Sequence, residues 1–116
     1  MATIIIKDGS TLRKLELSTI YYIQSHPQKP HVVLIVTGQG NYSHRASLTE
    51  LAKLYPDELV HCNRQTLVNL GKVQGFDRER KSLFFEQSDL GAIVCSRRHL
   101  SSLIKRWLVS GRKKIR

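Results

Sequence analysis

Apolar and polar residues alternate in short runs along most of this chain, and turn signals recur about every ten residues. That rhythm suits a mostly β domain of antiparallel strands and leaves helices as the minority. Thr3 to Lys7 and Thr11 to Leu17 flank Asp8-Gly9, a hairpin signal because glycine tolerates the positive φ of a tight primed turn. Ile20 to Ser25 is aromatic and β-branched. The following HPQKP segment places Pro27 and Pro30 where a ladder must break. His31 to Thr37 is the most strongly β stretch, and Gly38-Gln39-Gly40-Asn41 turns it back into Tyr42 to Arg45. Leu59 to Cys62, Lys72 to Phe76, Ser82 to Glu86 and Ala92 to Cys95 read as further strands, and the pattern of Gln65 to Leu70 leaves its class open.

Two helices interrupt this pattern. Ser47-Leu48-Thr49-Glu50 is a capping box, in which hydroxyl and carboxylate each satisfy the other residue's backbone N–H. Leu48, Leu51 and Leu54 then share a face, and Pro56 opposes continuation. From Ser96, Leu100, Leu103, Ile104, Trp107 and Leu108 follow helical spacing, opposite a face of Arg98, Ser101, Ser102, Lys105 and Arg106. Gly111 is the expected stop.

At 116 residues the chain has the size of one domain, divided in expectation into a folded part over 1–109 and a basic tail over 110–116. No apolar run approaches the ~18 residues of a membrane span, and the isoleucines at 4–6 lack the basic flank of a signal peptide. A cytoplasmic protein with no membrane partner is the expectation. Cys62 and Cys95 give neither a disulfide scaffold nor a CxxC pattern.

Charge is more informative. The formal net charge is +10. Residues 1–89 hold eleven Lys/Arg against all nine acids, a net of +2, whereas residues 90–116 hold eight Lys/Arg and no acid. A segment of that kind concentrates polyanions, of which nucleic acid is the usual one. Asn63-Arg64-Gln65 after a strand and Ser96-Arg97-Arg98-His99 at a helix start are clusters of the side chains that read base edges, and Gln28-Lys29-Pro30-His31 is a third, stiffened by its prolines. Each cluster alone is an ordinary polar loop; it is their coincidence with the charge asymmetry that favours binding.

Other chemistry finds little support. The five histidines and two cysteines lack the spacing that preorganises a metal site, so no metal and no cofactor is expected. His61 adjoins Cys62, but neighbours on a strand point to opposite faces, so the imidazole is badly placed to activate the thiol. Acids are too scattered for a paired carboxylate, and an enzyme is not the expectation.

The succession Ile20 to Ser25, Ser47-Leu48-Thr49-Glu50-Leu51, Leu59 to Leu70 and Val94 to Leu100 resembles the LytTR family of bacterial DNA-binding domains across nearly the whole chain. The most specific pieces are Leu67-Val68-Asn69 and Ser96-Arg97-Arg98. The resemblance implies an elongated stack of small antiparallel sheets with one short helix and a C-terminal helix. It also implies loops that enter successive major grooves, and a role as the output domain of a two-component response regulator, often in quorum sensing. Base contacts are implied for His31, Arg64 and Arg98. Backbone contacts are expected from Lys29, Asn63, Ser96, Arg97, Ser101, Ser102 and Lys105. Where the family usually has an Arg-x-His-Arg/Asn-Ser run, this chain has His61, Asn63 and Gln65 in the Arg, His and Ser places.

The expected partner is double-stranded DNA carrying direct repeats about one helical turn apart, bound by two protomers. The family's usual upstream receiver domain is absent from the sequence, which reads as an excised output domain or a stand-alone regulator. The rival class is a small basic RNA-binding or ribosome-associated protein. Such modules expose aromatics for stacking on unpaired bases, whereas the aromatics here mostly sit where a core would claim them.

Overall fold

The computed structural model describes residues 2–114. Strands β1 (Thr3–Asp8) and β2 (Thr11–Glu16) form a hairpin whose turn uses Gly9 at φ +65°. The central sheet has β3 (Ile20–Ser25), β4 (Val32–Thr37), β5 (Gly40–Arg45), β6 (Leu59–Asn63) and β7 (Thr66–Asn69), antiparallel in the order β5-β4-β3-β7-β6. A third sheet, ordered β10-β9-β8, is made of β8 (Val73–Asp77), β9 (Ser82–Phe85) and β10 (Ala92–Val94). Helix α1 (Leu48–Leu54) lies between β5 and β6, and α2 (Arg97–Lys114) follows β10.

The central sheet is covered on both faces. Ile20, Ile23, Val33, Ile35, Leu59 and Leu67 pack with Ile4 and Ile6 of the hairpin and Leu48 and Leu51 of α1. On the other side, Cys62 and Val68 pack with Leu83 and Phe85 of the third sheet and Leu103 of α2. Adjacent residues on β7 therefore serve different cores, which is why all four of its residues are buried and alternation is lost. Each fully buried aliphatic side chain contributes about 1.5–3 kcal/mol. The stack measures 42 × 32 × 28 Å, an elongated shape as the resemblance implied.

Local chemistry sets most element ends. Ser47 Oγ accepts the Glu50 N–H at 3.1 Å while Glu50 Oε1 accepts the Ser47 N–H at 3.0 Å, so both halves of the capping box are formed. Helix α2 is fastened to β8 by Trp107, whose Nε1–H donates to the Val73 carbonyl at 2.9 Å, and by an edge-to-face contact with Phe76.

Two expectations change. The open segment Gln65 to Leu70 becomes β7 followed by a 3-10 turn at Leu70–Lys72, because β7 finds partners on both sides, β3 and β6. The stop at Gly111 is corrected: α2 runs through it to Lys114. An interior glycine costs only about 1 kcal/mol relative to alanine. The boundary expected between 109 and 110 thus falls inside a continuous helix, and residues 115 and 116 of the expected tail lie outside the described residues.

Candidate nucleic-acid interface

Three segments converge at one side of the central sheet. The first is the β3–β4 loop. His26 Nδ1 accepts the N–H groups of Gln28 and Lys29, both at 3.1 Å, and the His26 N–H donates to the Val32 carbonyl, so the loop is tied at its base. His31, just before β4, sits at φ +60°. Histidine enters this left-handed region more readily than most residues, yet it remains a costly conformation of the kind found at functional positions.

The second segment is the tip of the β6–β7 hairpin. Asn63 pairs with Thr66, leaving Arg64 and Gln65 exposed at the turn. Asn63 Oδ1 accepts the Gln65 N–H at 2.9 Å and its Nδ2 donates to the Val94 carbonyl at 2.8 Å, which fixes the tip to β10. The third segment is the start of α2. The Ser96 N–H donates to the Cys62 carbonyl at 2.8 Å, and Ser96 Oγ accepts the His99 N–H and lies 2.6 Å from His99 Nδ1. Arg97 and Arg98 then project, exposed, from the first turn.

These bonds bring the sequence-predicted residues together in part. Lys29, His31 and Arg64 line one cleft with Ser25, His26 and His61. Arg64 also lines the adjoining cleft with Asn63, Gln65, Val94, Ser96 and Gln24. No acidic residue lines either cleft. Among the described residues the one ion pair is Arg80 with Asp77 at 3.9 Å, so none of Lys29, Arg64, Arg97, Arg98 and Lys105 is held in an ion pair. Asn63 and Ser96 are largely engaged inside the protein. Ser101 and Ser102 are exposed on the next turn of α2, whereas Lys105 lines a different cleft, beside Asp57, Glu58 and Arg106.

His61 and His99 were not among the predicted contact residues, although their ring centroids lie 6.1 Å apart at the meeting of the β6 edge with α2. The available signal was His61 in the place where the resembled family has arginine. Burial, then the neighbouring charges of His61 and Arg98, hold the His99 imidazolium below its ordinary range. The buried thiols of Cys62 and Cys95 interact with each other; that contact and burial push Cys62 far up, which leaves it a poor nucleophile. Among the described residues, no group of three or more His, Cys, Asp or Glu is placed to hold a metal, and no helix is long and apolar enough to cross a membrane.

An acid-free, cationic side built from two loops and a helix start is that of a polyanion-binding domain. The family model of the LytTr DNA-binding domain matches residues 10–108. The chain belongs to the LytTR family, and its class is that of a DNA-binding domain of transcriptional regulators. Among solved structures, it is similar to the LytTr DNA-binding domain of a protein described as a methyl-accepting/DNA response regulator from Bacillus cereus. That match has a TM-score of 0.68 and 16% identity, and covers 93% of this chain and 97% of the other, a likeness of fold. No curated protein matches the chain.

Proposed function

We propose that this domain binds double-stranded DNA sequence-specifically, as the output of a two-component response regulator, by placing its loops in successive major grooves at promoter direct repeats. The observation that carries the reading is the pair of adjoining clefts that share Arg64, join the first loop to the hairpin tip and the α2 start, and contain no carboxylate. His31, Arg64 and Arg98 contact bases; an arginine fork matches guanine N7 and O6. Lys29, Arg97, Ser101, Ser102 and Lys105 hold phosphates. Asn63 and Ser96 reach the backbone only with the donor capacity that their internal bonds leave, and chiefly fix the loops that carry Arg64 and Arg98.

Two protomers on repeats about one helical turn apart would address the same side of the duplex. Residues 1–109 form the recognition unit in this reading, with 110–116 adding basic charge, and the protein works in the cytoplasm of a bacterium. The test is selection of genomic fragments by the purified domain, followed by titration of the enriched duplex against a scrambled one over a salt series. Enrichment of paired direct repeats, with the scrambled duplex bound about 10³-fold more weakly, supports the reading. Equal and steeply salt-dependent binding to both overturns it and makes RNA the next substrate to test.

A further inference from the structure

We propose that His61 and His99 together form a seat for one DNA backbone phosphate that fills with uptake of a proton, so that the domain's affinity for duplex is set by pH. The proposal rests on the duplex-binding reading above and adds a ligand site and a linked proton to it.

Tautomers carry the argument. His61 Nδ1 lies 3.1 Å from the Asn63 carbonyl, which can only accept, so Nδ1 bears the hydrogen. Neutral His61 therefore has a lone pair on Nε2 and cannot donate to a phosphate from that atom. Ser96 Oγ, 2.6 Å from His99 Nδ1, already accepts the His99 N–H and can donate its own hydrogen to Nδ1. Neutral His99 then carries its hydrogen on Nε2 and is ready to donate. With the rings 6.1 Å apart, a phosphate bridging them receives one N–H from His99 as it stands and a second only when a solvent proton adds to His61 Nε2. One proton per phosphate is the expected stoichiometry.

The charged groups around the pair are cationic. Arg98 faces the pair from α2, Arg64 from the hairpin tip, and His26, Lys29 and His31 from across the cleft. Helix α1 contributes Ser47, Leu48 and Thr49 to the cleft wall, and β7 places Leu67 opposite His61, all uncharged. No carboxylate lines the cleft to hold an imidazolium in the free protein. A phosphate reverses the local field. Bound DNA then favours the protonated pair, and affinity rises as pH falls.

The test titrates a fluorescein-labelled copy of the duplex enriched by the selection above, by anisotropy between about pH 6 and 8, with calorimetry in two buffers of different ionisation enthalpy to count protons. Circular dichroism at each pH establishes that the protein is folded. Wild type is expected to take up about one proton, with affinity changing about tenfold per pH unit at the steepest point. His61→Gln should lose the gain at acid pH, whereas His61→Arg should keep tight binding at the alkaline end with no His61-linked uptake. Equal proton uptake in wild type and His61→Gln, or an unchanged pH slope in His61→Arg, overturns the proposal while leaving duplex binding intact. Failure of wild type to bind duplex at any pH overturns both readings.

Discussion

Replacing Asn69 by alanine should be among the most damaging single changes in the chain, although Asn69 is neither apolar nor part of the two acid-free clefts. Its side chain is only 6% exposed. Nδ2 donates to the carbonyls of Leu17 at 2.9 Å and Ile20 at 2.8 Å, and Oδ1 accepts the Gly71 N–H at 3.2 Å. One amide thereby ties the segment leading into β3 to the end of β7 and the turn before β8. At about 1 kcal/mol net for each of the three bonds, truncation costs about 3 kcal/mol; the Leu17 carbonyl keeps the Ile20 N–H as a donor, while the Ile20 carbonyl and the Gly71 N–H lose the side-chain partner. Against the 5–15 kcal/mol that stabilises a typical domain this is a large fraction. Urea denaturation followed by circular dichroism should show the midpoint falling by about 2 M. Asn69→Asp keeps an acceptor for Gly71 but points a second oxygen at the two carbonyls, so at neutral pH it should be at least as unstable as Asn69→Ala. A midpoint shift under about 0.5 M for Asn69→Ala, or near-wild-type stability for Asn69→Asp, would refute the assignment of donor bonds as the source of the effect.

Arg98→Ala should weaken binding to the enriched duplex by about 1–3 kcal/mol and relax one base preference, measured by competition among single-base variants; normal affinity and selectivity would remove the α2 start from the reading surface. Lys105→Ala should weaken all sequences alike and reduce the magnitude of the log–log salt slope by about 1, and an unchanged slope would mean that Lys105 serves only the cleft it shares with Asp57 and Glu58. Burial foremost, with Lys7 adding to it against the opposing influence of Glu50, holds the His44 imidazolium below its ordinary value of 6.5. The folded chain then binds this proton less readily than the unfolded chain, so the stabilisation is present above that value and is lost as pH falls through the lowered folded one. Thermal melts over that range should show the decline, and His44→Gln should flatten it.

Much of this protein was legible because its decisive signals are local. The capping box of Ser47 and Glu50, the Gly9 turn and the prolines flanking the first loop act within a few residues, and the structure forms a helix, a hairpin and a loop where each was expected. The clusters around His31, Arg64 and Arg98 were visible for the same reason: residue type and proximity to a predicted turn suffice to nominate a contact. What the sequence by itself determined was therefore the strand rhythm, both helix starts, the basic C-terminal quarter and the family.

Tertiary structure decided the rest through pairings distant in sequence. The strand character of Thr66–Asn69 follows from having β3 and β6 on either side, a partnership no window around the segment contains. Asn63 reads as a base-edge or phosphate ligand from its type, yet its amide is directed to Val94, 31 positions away. His61 and His99 become a pair only because the edge strand of the central sheet meets the first turn of α2. Gly111 carried the local preference of a helix stop, and the helix that contains it continues. The physical reason is common to all four: a local preference is worth at most about 1 kcal/mol, and sheet pairing, core burial and buried hydrogen bonds outweigh it once distant segments are in contact.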